Sequence, residues 1–397
     1  MIIIKLETKE PLHLSASYTV STYSPCIEYI PGSALRGGMA KKFLQEDQNQ
    51  EDFERFFLDD HVRFGPLWPA QNSPQGAIGA ILLPMTAYTC KRYPGVYSSK
   101  TGYTKHGIRD MLFEFIKEPT GTSSLNCSEQ DCEAPLTRQT GYYIGQEAHM
   151  ELIELDKRVI TSTAIDDQTQ TAAPEQLFTL QVIEEGQMFW GQIEFGDPDL
   201  EEMFCQLCCE TGIQIRLGAG TSRGLGLMEV KDIYPSDNHP NYNLFSVTQS
   251  LLERIQEFDS VAKMELGDRF ANQTCTCFSL DLLSDCLLLD EFLQYKIRIE
   301  PSDLARYIHP DLSRAAPLGQ VCTSQFVDGW NNLHCLPRET SVAISAGSVF
   351  FYCIDVPPQE LANLLGQVEY RGIGERTQDG FGRVTINHPF HLKREQR

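Results

Sequence analysis

The chain contains an internal repeat, in which each copy consists of a predicted strand, a predicted helix and a glycine-rich loop. The first copy runs from Gly186 to Gly226 and the second from Gly347 to Gly382. In both copies aromatic and β-branched residues alternate, apolar residues then recur at three-to-four spacing, and a loop with four glycines leads into an apolar strand. The repeat therefore predicts two modules of the same kind.

The starts of the two modules also match, because residues 4–14 and 279–289 both read as a strand, a short break and an apolar strand. Strand, helix, strand, strand, helix, strand is the element order of the ferredoxin-like (RRM-like) fold, so the predicted class is α+β. A chain of 397 residues is long enough for two domains. We predict a first module at 1–235 with an insert at 86–145, a linker and helix at 236–269, and a second module at 270–397.

The net charge of −21 argues against a free-standing nucleic-acid binder, because phosphate binding needs clustered Lys and Arg. The charge is nevertheless segregated along the chain. Residues 46–60 carry seven acids and one Arg, whereas residues 90–109 carry five Lys or Arg and no acid. Such segregation suits RNA on one face and basic protein partners on another.

The sequence features that bear on localisation favour the cytoplasm. The sequence has no apolar run of about 18 residues, so no membrane span or membrane partner is expected. Its first ten residues are interrupted by charges too early for a secretory signal. Thirteen cysteines at irregular spacings do not form a disulfide framework, which favours a reducing compartment with most cysteines buried.

The two glycine loops are candidate RNA-binding elements. Their glycines follow a helix and precede a strand, which is the reverse of the dinucleotide-binding arrangement. Glycine lets another backbone approach closely, and both loops carry arginines suited to phosphate. The alternative is that both loops are tight turns with solvated arginines. The predicted RNA contacts in these loops are Gly218, Gly220, Arg223, Gly224, Gly226, Arg371, Gly372, Gly374, Arg376, Gly380, Gly382 and Arg383.

The segment 28–43 predicts an amphipathic helix with Ser33 as its N-cap and Leu35, Met39 and Phe43 on its buried face. Its free N–H groups and cations make it a candidate phosphate site. Gly37 and Gly38 cost helix propensity, about 1 kcal/mol each, which is understandable if something must approach the helix closely. The predicted RNA contacts here are Ser33, Arg36, Lys41 and Lys42.

The motif Ile30-Pro-Gly-Ser-Ala-Leu-Arg-Gly37, followed downstream by the loop 218–226, resembles the RAMP superfamily of CRISPR effector subunits. The resemblance covers residues 1–235 and reaches the second module through its glycine loop. Two modules with a cysteine-bearing insert resemble the larger RAMP subunit of type III-D systems. This resemblance implies ferredoxin-like folds, binding of guide RNA and target RNA, and assembly with other RAMP subunits and a large effector subunit.

The insert contains a candidate zinc site formed by Cys90, His106, Cys127 and Cys132, with the spacing C-x15-H-x20-C-x4-C. Three thiolates and one imidazole complete a tetrahedral structural site, and the metal would supply folding energy to a loop with few large apolar residues. The alternative is four unrelated residues. Zinc-binding inserts in similar RAMP subunits favour the zinc interpretation. The other paired cysteines are interpreted as core residues; they are Cys205, Cys208, Cys209, Cys275 and Cys277.

The resemblance also implies where a nuclease site would lie, because RAMP subunits that cut target RNA carry an Asp in the loop before the Ile-Pro-Gly-Ser helix. Here the loop 14–28 has no Asp, and Glu28 is its only acid. Asp166 and Asp167, where relatives have a hairpin, are interpreted as a polar turn. We therefore expect a subunit that does not cut RNA.

Two other functions remain open from the sequence. A RAMP-fold guide-processing ribonuclease often uses a His, and the helix at 33–45 has none. A zinc-stabilised adaptor that binds only protein would be consistent with the net charge of −21.

Overall fold

A computed structural model describes residues 1–15, 22–45, 49–72, 78–97, 105–118, 125–146, 149–165, 172–208, 212–235, 250–267, 275–331 and 336–392. Most of the predicted linker (236–249) and both Asp166 and Asp167 lie outside these described residues. Helices in the described segments are α1 (Gly32–Gln45), α2 (Gln50–Phe57), α3 (Leu112–Lys117), α4 (Pro198–Cys208), α5 (Leu251–Leu266), α6 (Pro301–Tyr307), α7 (Pro358–Leu365) and α8 (Val368–Arg371). None of these helices is both long and apolar enough to cross a bilayer.

The first half of the chain forms an antiparallel sheet around four central strands. These are β1 (Ile2–Thr8), β2 (Val62–Gln71), β3 (Met188–Phe195) and β4 (Leu227–Pro235). Their order across the sheet is β4-β1-β3-β2, and the short strands Gln214–Arg216 and Ile78–Gly79 extend it at its two ends. Helix α1 lies between β1 and β2 in the chain, and α4 lies between β3 and β4, as the sequence predicted.

The second half forms a four-stranded antiparallel sheet of the same design. Its strands are β5 (Thr276–Leu282), β6 (Ala316–Val321), β7 (Val349–Ile354) and β8 (Val384–Ile386), in the order β6-β7-β5-β8. Helix α6 connects β5 to β6 and α7 connects β7 to β8. The pairing register shifts in β2, opposite Gln192, and again in β6, at Leu318, so the repeat extends to an irregularity in the second strand of each sheet.

The segment between β2 and β3 carries the predicted insert and a long hairpin. The hairpin pairs Lys157–Ile165 with Ala172–Ile183, so the predicted turn at 166–171 falls between two antiparallel strands. The remaining strands are Tyr23–Ser24, Ile81–Leu82, Ala87–Cys90, Ile108–Asp110, Leu136–Arg138, Tyr142–Gln146, His149–Ile153, Leu288–Leu289, Tyr295–Lys296, Ser324–Val327, Trp330–Asn331, Leu336–Pro337 and Ser341–Ile344.

The first sheet is covered by protein on both faces. Ile2 and Ile4 of β1 join the core beneath α1, α2 and α4, whereas Ile3 points to the opposite face, as the two-residue period of a strand requires. On that opposite face Trp68 and Trp190 are buried beneath the insert, with ring centroids 5.9 Å apart. RRM domains stack bases on an open sheet face, and here that face is not accessible.

The second sheet is also covered on both faces. One face packs on α6 and α7, and the other packs on α5 and on α3 of the insert. Helix α5 begins with a capping box formed by Ser250 and Glu253, which fixes its start. The insert therefore contacts both halves of the chain.

A buried charged triad connects the insert to the second sheet and to the end of the described chain. His391 is buried; its Nδ1 lies 2.7 Å from the Asp110 carboxylate and its Nε2 lies 2.7 Å from the Asp281 carboxylate. Burial acts to lower the pKa of His391, but the two carboxylates outweigh it and raise that pKa to about 10. The imidazolium therefore donates to both acids at neutral pH. The sequence pattern had not singled out any of these three residues.

We expect His391→Gln to destabilise the protein by about 3 kcal/mol or more, because it leaves two buried carboxylates without their cation. A raised His pKa stabilises the fold below the unfolded value of about 6.5, and this contribution is lost as the pH rises through about 10. Urea unfolding at pH 6 to 10.5 measures this contribution. The difference in unfolding free energy between the wild type and His391→Gln should decrease toward alkaline pH. His61→Gln, at an exposed histidine, is the matched control and should change stability by less than about 0.5 kcal/mol. An equal effect of both substitutions would contradict this account.

Candidate metal and RNA-binding sites

The predicted zinc ligands meet at one end of a three-stranded sheet in the insert. Cys90 ends the central strand Ala87–Cys90, and His106 lies just before the neighbouring strand Ile108–Asp110. Cys127 and Cys132 lie in the turn before the third strand, which pairs with the other side of the central strand. Antiparallel pairing thus brings together ligands that are far apart in sequence.

The four ligand atoms all lie within 4.8 Å of one another. The Sγ atoms of Cys90 and Cys132 are 3.7 Å apart, and His106 Nδ1 is 3.2 Å from Cys127 Sγ. A disulfide would need about 2.05 Å, whereas two sulfurs bound to one tetrahedral zinc at 2.3 Å lie about 3.8 Å apart. The donor set and the spacing therefore fit a tetrahedral metal ion.

The surroundings of the cluster shift the pKa values of two of its thiols in opposite directions. Burial acts to raise the pKa of Cys90, but backbone N–H groups of Tyr93 and Arg92 outweigh it and lower that pKa. Burial raises the pKa of Cys127 to about 11, against a backbone hydrogen bond from Glu129. A bound cation would displace the thiol protons, because metal ligands must be deprotonated. The ring of Tyr93 packs on the imidazole at a centroid distance of 4.6 Å and orients it.

The other cysteines fit the interpretation as core residues wherever they are described. Cys277 is fully buried in β5 and Cys275 is buried just before it. Cys205 is half-buried in α4 against the first core. Cys209 lies outside the described residues, and the side chain of Cys208 is not described.

Helix α1 begins at Gly32, so Ser33 is a residue of its first turn and not its N-cap as predicted. The carbonyl of Pro31 accepts the first bonds of the turn. The inward face is as predicted, with Leu35, Met39 and Phe43 buried.

The two glycines inside α1 have different surroundings. A methyl group at Gly38 would lie 2.3 Å from Cδ2 of Leu217, so this glycine allows the helix to pack on the first glycine loop. A methyl group at Gly37 would meet no atom of the described part of the chain within 4 Å. Gly37 is exposed, and nothing among the described residues accounts for its cost in helix propensity.

The two glycine loops share one backbone conformation. Each loop contains a residue with left-handed backbone conformation, then three residues of 3-10 helix, then a glycine with left-handed backbone conformation. We name this segment the first crest at 220–224 and the second crest at 376–380. The flanking φ angles are 75° at Gly220, 78° at Gly224, 57° at Arg376 and 88° at Gly380. The duplication seen in the sequence is therefore a duplication of backbone geometry.

Glycines at the base of each loop are required by contacts within the chain. A methyl group at Gly226 would lie 2.0 Å from the carbonyl of Leu217, and one at Gly382 would lie 1.8 Å from the carbonyl of Ile373. Gly218 and Gly374 are equally close to other backbone carbonyls, and these glycines have positive φ. The tight-turn alternative thus accounts for the basal glycines without RNA.

Several of the predicted RNA-binding arginines have partners inside the protein. Arg383 is buried, where it pairs with Glu194 and donates to Gln192 at 2.6 Å. Burial raises the pKa of Glu194, and the charge of Arg383 opposes this. Arg36 and Arg376 both donate to the carboxylate of Asp379, at 2.7 and 3.0 Å.

Other predicted cations face solvent. Lys41, Arg223 and Arg371 are exposed, and none has an acidic partner within the described part of the chain. Lys42 is half-buried in the last turn of α1 and makes an interaction within the protein. The structure thus separates the predicted cations into a group that interacts with protein groups and a group, Lys41, Arg223 and Arg371, that is exposed.

Asp379 is the functional residue that sequence reasoning overlooked. It is buried beneath α1 and its carboxylate is the centre of the arginine cluster. Alignment of the two crests would have revealed it, because Thr377-Gln-Asp-Gly380 places an acid where Thr221-Ser-Arg-Gly224 has Arg223.

Glu28, the single acid of the loop 14–28, forms an ion pair with Lys157 at the base of the long hairpin. Its side chain is about 40% exposed, so it is not enclosed in a catalytic pocket. Residues 16–21 of the same loop lie outside the described residues.

Comparison with protein families resolves the class of the chain. The RAMP superfamily model matches residues 5–229, which is more than half of the sequence. This chain belongs to the RAMP superfamily. The match includes both the Ile-Pro-Gly-Ser helix and the first glycine loop, the motifs on which the resemblance rested. No curated protein sequence matches the chain.

Among solved structures, the chain resembles one from the type III-B Cmr-beta complex bound to cognate target RNA, at 12% identity and a TM-score of 0.40, over 92% of this chain and 89% of that one. It also resembles Cmr4 from Pyrococcus furiosus, at 12% identity and a TM-score of 0.25, over 59% of this chain and 97% of that one. A Cas6 product complex matches at 12% identity and a TM-score of 0.32, over 52% and 81%.

Proposed function

We propose that this RAMP protein is a guide-RNA-binding subunit of a type III, specifically type III-D, CRISPR ribonucleoprotein in the cytoplasm that targets foreign RNA. Its partners would be guide and target RNA, other RAMP subunits and a large effector subunit. Family membership and the two sheets with strand orders β4-β1-β3-β2 and β6-β7-β5-β8 support two ferredoxin-like modules, at 1–235 and 270–397, joined by 236–269. In this proposal the subunit holds RNA and does not cut it.

The observation that carries RNA binding is the solvent face of α1. Gly37 leaves an open place on that face, and Lys41 follows it by one helical turn without an acidic partner among the described residues. A phosphate can approach the helix backbone at a glycine, and a nearby lysine supplies the charge. Arg371 is a further candidate cation because it is exposed, whereas Arg383 is paired with Glu194 inside the protein.

Zinc is the metal that we propose for the insert. Three thiols and one imidazole with a sulfur–sulfur distance of 3.7 Å suit zinc, which prefers four nitrogen and sulfur ligands in a closed structural site. The ligands would hold the insert against the first sheet, where it covers Trp68 and Trp190. The role is structural, because all four positions are filled by the protein.

We expect purified protein to contain about one zinc ion per chain, measured by elemental analysis without chelators, and Cys127→Ser to lose it. Cys205→Ser is the matched control, because Cys205 lies in α4 outside the cluster, and it should retain zinc. Wild-type protein that contains no metal would overturn the zinc proposal and leave the RNA proposal unaffected.

We expect Gly37→Ala to raise the melting temperature of the isolated chain, since alanine favours a helix by about 1 kcal/mol, yet to lower guide-RNA occupancy of the complex. Lys41→Ala should also lower occupancy, and the salt slope of binding should decrease by about 0.7 for each lost phosphate contact. Arg314→Ala removes an exposed cation of the second half and should leave occupancy unchanged. If Gly37→Ala is more stable and equally loaded with RNA, α1 is not the binding surface.

We expect Glu28→Ala to leave every cleavage site in place when the assembled complex is incubated with matched target RNA and the products are mapped by length. Glu28 pairs with Lys157 and is the one acid of the loop where related nucleases carry a catalytic Asp. Loss of one regularly spaced cut with RNA binding intact would show that this subunit supplies an active site.

A further inference from the structure

The second crest shows what a crest of this geometry can bind. Its Gly380 packs on the bulged part of β2, where a methyl group would lie 2.8 Å from the carbonyl of Phe64. On the other side Gly32, at the start of α1, would place a methyl group 2.6 Å from the carbonyl of Asp379. The second crest is thus docked, backbone against backbone, on the first helix and second strand of a RAMP module.

Electrostatic pairing completes this internal interface. The carboxylate of Asp379 accepts a hydrogen bond from Arg36 of α1 at 2.7 Å, and Asp379 is only 7% exposed. An acid on the crest and a base on the helix are therefore matched across the contact.

The first crest has the same backbone, but no described residue covers it. A methyl group at Gly224 would meet no atom of the described residues within 4 Å, whereas its counterpart Gly380 is packed tightly. Ser222, Arg223 and Gly224 are all exposed. At the position of Asp379 the first crest carries Arg223, so the sign of its charge is reversed.

We propose that the first crest docks on the first helix and second strand of a neighbouring RAMP subunit, one that carries Asp or Glu where α1 carries Arg36. The contact has the backbone geometry of the contact between the second crest and α1. Its charges are exchanged, with the base on the crest and the acid on the helix. The inference rests on the proposed function, because the neighbour is a subunit of the same complex.

A second copy of this chain does not meet these requirements. Its own α1 and β2 are already occupied by its own second crest. The corresponding helix of the second half is α6, in which Ser302-Asp-Leu-Ala305 matches Ser33-Ala-Leu-Arg36, so the required acid is absent and Arg306 follows. The partner is therefore a different RAMP chain.

An RNA phosphate is the other ligand to consider for an exposed arginine on a turn. The N–H of Arg223 donates to the carbonyl of Gly220 at 2.8 Å, as the N–H of Asp379 donates to the carbonyl of Arg376 at 2.9 Å in the second crest. This shared backbone binds protein in the second half, which favours protein over RNA at the first crest.

The test uses Gly224→Asn, because asparagine tolerates left-handed backbone but fills the open space beside it. The chain is co-expressed with the other RAMP subunits of its complex without a CRISPR array, treated with ribonuclease and purified through its own tag. The isolated variant should keep the wild-type melting temperature, while recovery of the neighbouring RAMP subunit should fall about tenfold or more.

Two further variants make the comparison sharp. Gly380→Asn, at the matched position of the docked crest, should lower the melting temperature of the isolated chain because Phe64 occupies the space. Arg223→Asp should also lose the neighbour, and an Arg in place of the neighbour's acidic residue should restore its recovery.

The outcomes distinguish the two proposals. If the wild-type chain recovers no RAMP subunit at all, the proposed function itself is wrong. If wild type and Gly224→Asn recover the neighbour equally, the docking proposal is wrong and the proposed function stands. If recovery is equal but Gly224→Asn and Arg223→Asp lose guide RNA in the assembled complex, the crest is a phosphate site and docking is overturned.

Discussion

The close backbone contact between the second crest and the first helix and second strand sets the arrangement of the two halves. Gly32 and Gly380 are necessary there because any side chain would collide with a carbonyl of the other half. Asp379 forms ion pairs with Arg36 and Arg376 at the same place, and Arg383 pairs with Glu194 deeper in the interface. Buried ion pairs of this kind tolerate little displacement, because a charge that loses its partner is costly. The two sheets are therefore held in a fixed position relative to each other.

That arrangement restricts the surfaces that an RNA could reach. Both faces of both sheets are covered by helices or by the insert, so a base cannot stack on a sheet as it does in an RRM domain. The outer side of α1 is exposed at Gly37 and Lys41, and Arg371 is exposed at the end of α8. Acidic side chains follow on α2, which carries Glu51 and Asp52 in its first turn. A strongly acidic chain can thus present a local basic surface.

The insert has a structural role beyond its own cluster of thiols and imidazole. Its apolar residues fill the outer face of the first sheet, and α3 packs with α5 on the outer face of the second. Asp110 adds a charged contact to His391 and, through it, to Asp281. The cluster of three thiols and one imidazole therefore lies in a segment that contacts both halves of the chain.

Local pattern was sufficient for the secondary-structure elements. The alternation in Met188–Phe195 and Val349–Ile354, the spacing of Leu35, Met39 and Phe43, and the duplicated glycines predicted strands, helices and turns that the structure contains. These elements depend on neighbours in sequence, and a sequence displays such neighbours directly. The Cys and His residues that could hold a metal ion were predicted from residue type and from the family resemblance, and antiparallel pairing in the fold brings them together.

Only the tertiary structure decided which arginines are available. Arg36 meets Asp379 across 343 positions and Arg383 meets Glu194 across 189 positions, so no local pattern could show that either was paired. The same holds for His391, whose two acids come from the insert and from β5. Whether a charge faces solvent or a partner depends on which distant segments the fold brings within about 3 Å, because hydrogen bonds and ion pairs act only at that range. The sequence by itself determined the repeated elements and the chemistry of their side chains, and the packing of one half against the other decided their partners.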